Sequence, residues 1–190
     1  MTPENLKTRI AQTHLKESGQ YKAKIDGDWG PLSRAAALKW WRDKTPSTAG
    51  TPYELAQSYV GTREIPGAED NPLIVSWLRM AEPWVSDDET AWCSAFVGAM
   101  AELTGYETTG KLNARSWLEA GDGIELRDAR PGDVAVFWRS SPASWKGHVG
   151  FFVEQDGDKI KVLGGNQGNK VSIASYPRTR LLGVRRIKKS

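Results

Sequence analysis

The apolar pattern of this chain changes period part-way along it, and that change restricts the fold more than any other feature. Up to Ala120 the apolar positions of the larger part recur at helical spacing, which predicts helices over Pro52 to Val60, Pro72 to Met80, Trp92 to Leu103 and Ala114 to Ala120. From Asp133 onward the residues alternate or run apolar in short blocks. These predict strands over Asp133 to Arg139, His148 to Gln155, Lys159 to Leu163, Lys170 to Ser175 and Leu181 to Ile187. Turns such as Gln155-Asp156-Gly157-Asp158 separate several of them. Helices first and antiparallel strands after describe an α+β fold.

A smaller unit precedes this one. Leu6, Ile10 and Leu15 are weakly amphipathic at helical spacing, and a turn at Ile25-Asp26-Gly27-Asp28-Trp29-Gly30-Pro31 leads into a second helix from Leu32 to Trp41. Pro31 suits the first position of that helix, where its missing N–H costs nothing. The stretch from Thr45 to Pro52 has linker composition. The expected division is therefore a helical module at 1–44, a linker at 45–52 and a second domain at 53–190.

A hydrophobic content of 39% can build a core, and a charged content of 26% is ordinary for a globular chain. No run approaches the roughly 18 apolar residues of a membrane span. Met1 to Lys7 lacks the apolar stretch of a signal peptide, so synthesis in a cytoplasm is expected, with any outside work needing another exit route. Net charge is +3, yet Arg178, Arg180, Arg185, Arg186, Lys188 and Lys189 crowd the last segment without an acid among them. Such a tail suits a polyanion, whether nucleic acid, anionic membrane or cell wall; a solvated final strand with a basic end is the simpler account.

Cys93 is the single thiol, so neither an intrachain disulfide nor a multi-cysteine metal site is available. It opens the apolar helical run Trp92-Cys93-Ser94-Ala95-Phe96-Val97. Of two histidines, His148 begins the strand-like run Gly147-His148-Val149-Gly150-Phe151-Phe152, while His14 lies in the accessory helix with no chemical role expected. A thiol at a helix start and a histidine on a later strand suggest a nucleophile and its base. Taken singly, each has a plain reading as a buried small hydrophobe or a hydrogen-bonded sheet residue. The attacking species is the thiolate, and a helix N-terminus contributes only about 0.3–1 kcal/mol toward it, less than one pKa unit. A neighbouring imidazolium is expected to supply the rest.

A third group should hold the imidazole in one tautomer. The turn Leu163-Gly164-Gly165-Asn166-Gln167-Gly168-Asn169 offers carboxamides on a backbone that glycines allow to approach closely. Asn166 is the first choice, Gln167 the second, and Glu64 a distant acidic alternative.

These segments, with Pro131-Gly132-Asp133-Val134 and Gly164-Gly165-Asn166, resemble the CHAP and NlpC-type cysteine amidases and peptidases over about 53–187. The likeness is strongest to a phage and prophage branch. It implies a papain-like domain in which the cysteine helix packs on an antiparallel sheet, with Cys93 as nucleophile, His148 as base and Asn166 as the polar third member. Ile25-Asp26-Gly27-Asp28-Trp29-Gly30-Pro31-Leu32-Ser33 resembles the signature of three-helix peptidoglycan-binding domains, which makes Asp26 and Trp29 candidate wall contacts. The sequence Lys39-Trp40-Trp41 departs from the usual ending of that signature.

The two resemblances together imply an endolysin. Such a protein is a peptidoglycan hydrolase cutting an amide bond, either as N-acetylmuramoyl-L-alanine amidase or as stem-peptide endopeptidase. It would be a monomer, released through a holin-type pore, with the basic C-terminus able to touch an anionic envelope and no nucleic acid expected. Trp92, Trp145 and Gln167 are the expected substrate contacts, although most of the nine tryptophans should be core. Arg115 could meet a substrate carboxylate or serve as a surface ion pair, and Asp133 should be structural. Ser86-Asp87-Asp88-Glu89-Thr90 lacks the ligand spacing of a calcium loop, so no metal or cofactor is expected. A toxin-like effector or protease with the same residues, and a non-catalytic wall-binding virion protein, are the alternatives.

Overall fold

The computed structural model describes residues 8–9, 12–13, 15–44, 50–65, 70–83, 85 and 87–190. Leu6, Ile10 and His14 of the expected first helix, and most of the expected linker, lie outside the described residues.

The chain is α+β, with helices preceding an antiparallel sheet. Helix α1 spans Pro31–Lys44 and begins on the expected proline. Ahead of it, Leu15, Tyr21, Trp29, Ala36 and Ala37 form a small apolar cluster. Buried Gln12 ties the turn together, donating to Asp26 Oδ1 at 2.8 Å and accepting from Gly27 N–H at 2.9 Å. Helix α2, Pro52–Ser58, is started by a capping box in which Thr51 and Glu54 satisfy each other's backbone N–H groups. Helix α3, Pro72–Ala81, is capped by Asn71, whose side chain accepts from Leu73 N–H at 3.0 Å.

Helix α4, Cys93–Leu103, has no side-chain cap and is buried on nearly every face. A helix that is apolar all round belongs in the middle of a domain, and α4 packs against α2, α3 and the sheet. Ala114–Glu119, expected as an α-helix, is a 3-10 helical segment.

The sheet contains β1 (Asp122–Ile124), β2 (Val134–Trp138), β3 (Gly147–Asp156), β4 (Lys159–Gly164), β5 (Ser172–Pro177) and β6 (Leu181–Arg186). Its order is β1-β6-β2-β3-β4-β5, and every pairing is antiparallel. Period-two alternation divides its side chains between two cores. Val134, Val136, Val149, Phe151 and Leu163 join the cluster that contains α4. Ala135, Phe137, Phe152, Ile160 and Val162 form the other, with Tyr176 and Leu181 packed against it.

Two departures from the expected elements have local causes. Strand β1 is only three residues long, too short for a periodic signal, and exists because β6 pairs with it. Strand β5 starts later than expected because Val171 bonds elsewhere: its N–H donates to Thr62 O at 2.7 Å, and its carbonyl accepts from Gly61 N–H at 2.9 Å. Residues 165–171 thus become a loop pinned to 61–64.

The basic C-terminal segment is largely occupied within the fold. Arg185 donates to the carbonyls of Ala120 and Gly121, Arg186 forms a two-point pair with Asp133, and Lys188 meets Asp122 at 2.8 Å. Arg180 lies over the Trp138 ring at 5.1 Å.

One contact sets the site loop. A Cβ placed on Gly165 would lie 2.6 Å from Trp92 Cε3 and 2.8 Å from Phe96 Cβ. Real Cβ atoms do not approach so closely, so only glycine lets the turn sit on the start of α4. Gly165→Ala is expected to destabilise the protein by about 1–3 kcal/mol through overpacking, read as a lowered urea midpoint at unchanged slope.

Candidate active site

Cys93 is placed at the first position of α4, and the backbone N–H groups of Cys93 and Ser94 act on its sulfur. The backbone N–H of Val149 on β3 also reaches it. That residue follows His148, so the helix start lies against the strand carrying the imidazole. The ring of Tyr176 on β5 stacks on His148 with centroids 4.9 Å apart at 20°, and the Cys93 sulfur acts electrostatically on the same tyrosine. These shared neighbours place Cys93, His148 and Tyr176 in one region of the fold, with no hydrogen bond between thiol and imidazole among the described residues.

The His148 partner corrects the first choice made from sequence. Gln167, not Asn166, contacts the ring, with Oε1 3.2 Å from Nε2. The Gln167 amide group is oriented by its other bonds, because its NH2 donates to the carbonyls of Gly164 and Ser172. Its oxygen therefore faces the imidazole and accepts from Nε2–H. This selects the tautomer whose Nδ1 bears the lone pair. Among the described residues Nδ1 is buried and has no hydrogen-bond partner, so the nitrogen bearing the lone pair is the unpartnered one. Asn166 instead occupies the left-handed region at φ 55°, a backbone role that asparagine tolerates. That tolerance is local and does not by itself say which of the two amides meets the ring.

Two expected substrate contacts have other duties. Trp92 is fully buried, packs against Trp77 and Phe96, and donates from Nε1 to Glu64 Oε1 at 2.7 Å. It cannot stack on a sugar ring. Gln167 is likewise buried and engaged with His148. Trp145, at 71% exposed in the β2–β3 loop, remains open to a ligand. Glu64 holds Trp92 rather than the imidazole. In the N-terminal module, the Asp26 carboxylate accepts from Gln12 and from Asp28 N–H, and Trp29 is buried beneath Arg79, whose guanidinium lies 5.5 Å from its ring. Asp26 is exposed while it holds the turn, and Trp29 is buried in the module's core.

The resting charges also differ from expectation. Cys93 is 5% exposed, and burial pushes its thiol up from the ordinary value, outweighing the Val149 N–H, the Arg139 charge and the helix-start amides. Burial and then the Arg139 charge hold His148 down to about 4, against a small upward pull from Gln167. The pair is therefore neutral thiol and neutral imidazole at pH 7, not a preformed ion pair. Tyr176 is pushed up to about 12, again chiefly by burial, and keeps its proton. Asp133, as expected, is structural: it is buried and paired with Arg186. Arg115 donates to Pro142 O at 3.0 Å and braces the β2–β3 loop.

The acidic segment before Cys93 is tied into the backbone. Asp88 accepts from Asn71 N–H at 2.8 Å, and Asp87 accepts from Thr90 N–H at 3.1 Å. Among the described residues no group of three or more His, Cys, Asp or Glu side chains could hold a metal ion.

Residues 85–166 match the family model of the CHAP domain, a stretch that takes in Cys93, Arg139, His148 and Asn166 and stops one residue before Gln167. One similar solved structure is a protein of Staphylococcus aureus subsp. aureus Mu50 described as similar to a lipoprotein of the NLP/P60 family. It is 19% identical, the alignment covers 94% of this chain and 61% of that one, and the TM-score is 0.46. This chain thus spans about three-fifths of that protein's length. No curated protein matches.

The site makes a pH-dependent claim with a definite sign. Between pH 6.5 and about 4 the unfolded chain binds a proton at His148 that the folded site refuses. Stability present above pH 6.5 is therefore lost as pH falls through that window, by about 3 kcal/mol at 1.36 kcal/mol per unit. In an NMR titration of the imidazole resonances, the signal that disappears in His148→Asn should titrate near 4 rather than near 6.5.

Proposed function

We propose that this chain hydrolyses an amide bond in the peptide part of peptidoglycan, with Cys93 as nucleophile and His148 as general base. The observation that carries the reading is the orientation of His148. Gln167 takes its Nε2–H and leaves a buried, unpartnered Nδ1 on the strand against which the helix of the single thiol packs. The CHAP match, which takes in Cys93 and His148, supports the substrate class.

The chemistry follows from a neutral pair. Nδ1 takes the thiol proton as the sulfur bonds to the amide carbon, and the carbonyl oxygen becomes an oxyanion. The N–H groups at the uncapped start of α4 are the available donors to that charge, and one such donor is worth about 100- to 1000-fold in rate. The protonated imidazole then gives its proton to the departing amine as the C–N bond breaks, leaving a thioester on Cys93. Water, deprotonated by the same nitrogen, attacks the thioester and releases the carboxylic acid and the thiol. Because the imidazolium forms in a buried site, the hydrogen bond that Gln167 accepts strengthens as charge develops, which aids proton removal.

The finer proposal is an endolysin that joins this activity to an N-terminal wall-binding module and acts from inside its host. The turn 25–33 supports it through its likeness to peptidoglycan-binding signatures. Amidase and endopeptidase action differ in the amine released. Mass analysis of digested walls should find either a new alanine amine or a new amine within the stem peptide.

Clearing of purified cell walls should be abolished in Cys93→Ala, whose unchanged circular dichroism would show an intact fold; a clearing Ala variant would sink the assignment. Gln167→Leu should lower kcat by at least about 2- to 13-fold, the rate equivalent of one ordinary hydrogen bond. Asn166→Ala should alter stability more than kcat, because its role is in the turn.

A further inference from the structure

The wall of the site nearest solvent carries a cation that the proposed chemistry does not use. Arg139 ends the β2–β3 ladder, and its N–H donates to Lys146 O at 3.1 Å, continuing the register in which Phe137 pairs with His148. It lies two residues beyond Phe137, so Arg139 and His148 are diagonal neighbours on one face. Such neighbours stand about 7–8 Å apart, within reach of a long side chain.

Arg139 is exposed, and among the described residues its guanidinium makes no ion pair. Its charge nevertheless acts on Cys93, His148 and Tyr176 alike. The segment that follows, Ser140-Ser141-Pro142-Ala143-Ser144-Trp145-Lys146, contains no acid to neutralise it. The same loop bears exposed Trp145, with Lys146 Nζ 6.0 Å from its ring, and is braced by Arg115 at Pro142. Arg115 is therefore committed to the loop, while Arg139 presents a free planar donor fork beside the reacting groups.

We propose that Arg139 is a specificity residue that binds a carboxylate on an acidic peptide next to the scissile amide. This rests on the peptidoglycan reading above. A guanidinium takes a carboxylate through two parallel N–H···O bonds, which fixes the peptide's orientation as well as its charge. Trp145 supplies a flat apolar surface on the same rim. The site should consequently favour wall peptides whose acidic group is free over those in which it is amidated.

The test uses binding, so that it does not require turnover. The full chain carrying Cys93→Ala is titrated with N-acetylmuramoyl-L-alanyl-D-glutamate and with the same compound bearing a carboxamide in place of the free α-carboxylate, following tryptophan fluorescence. The acid should bind about 10- to 150-fold more tightly, the span of a hydrogen bond to a charged group, and Arg139→Gln should abolish the difference while Arg139→Lys keeps part of it. Equal affinity for the two probes, a preference that survives Arg139→Gln, or no binding of either probe overturns the assignment. Wall clearing by the unmodified protein reports separately on the hydrolase reading. Clearing without acid preference removes only Arg139's role, and preference without clearing removes only the hydrolysis.

Discussion

The indole of Trp92 is where the two halves of this structure are fastened together. It precedes the first residue of α4, packs on Trp77 and Phe96, and donates to Glu64. Gly165 lies against its face so closely that no side chain fits between them. Glu64 in turn bonds through its N–H to Asn169 O at 2.9 Å. One buried aromatic thus sets the distance between the helix that starts at Cys93 and the turn that carries Gln167. Its position is held by packing and by one hydrogen bond to a carboxylate, a combination that leaves little freedom to slide.

Burial then governs the chemistry of the site more than the helix start does. The amides at the beginning of α4 favour a thiolate, yet removing the sulfur from water works against the charge more strongly. The same desolvation keeps His148 neutral. Both groups are therefore neutral at rest, and in the proposed reaction charge separates only at the moment of attack. The Gln167 amide is suited to that sequence, since its oxygen accepts from the ring in either protonation state and its NH2 is already occupied by two backbone carbonyls.

Much of the fold was legible because the signals are local. Pro31 marks a helix start, apolar residues at helical spacing outline α2 to α4, and the period-two blocks identify most of the sheet. The failures were equally local in origin. Strand β1 is too short to show a period, and Val171 reads as strand but bonds to Thr62, more than a hundred residues earlier in the chain. In the site, Asn166 and Gln167 are adjacent carboxamides that composition cannot separate; the left-handed backbone at Asn166 and the register of the turn do. Trp92 beside Cys93 invited a role in the cleft, and only packing shows that its ring points into the core.

By itself the sequence determined the order of helices and strands and the supply of reactive groups: one thiol, one strand histidine and an amide-rich glycine turn. Those properties depend on residue type and on spacing along a few turns of chain. Which amide meets the imidazole, which ring nitrogen stays free and which way each pKa moves were decided by the tertiary structure. They depend on contacts between β3, the 165–169 turn and the start of α4, segments tens of residues apart. Their separation is set by how Trp92, Phe96 and Gly165 pack, a quantity that no local pattern encodes.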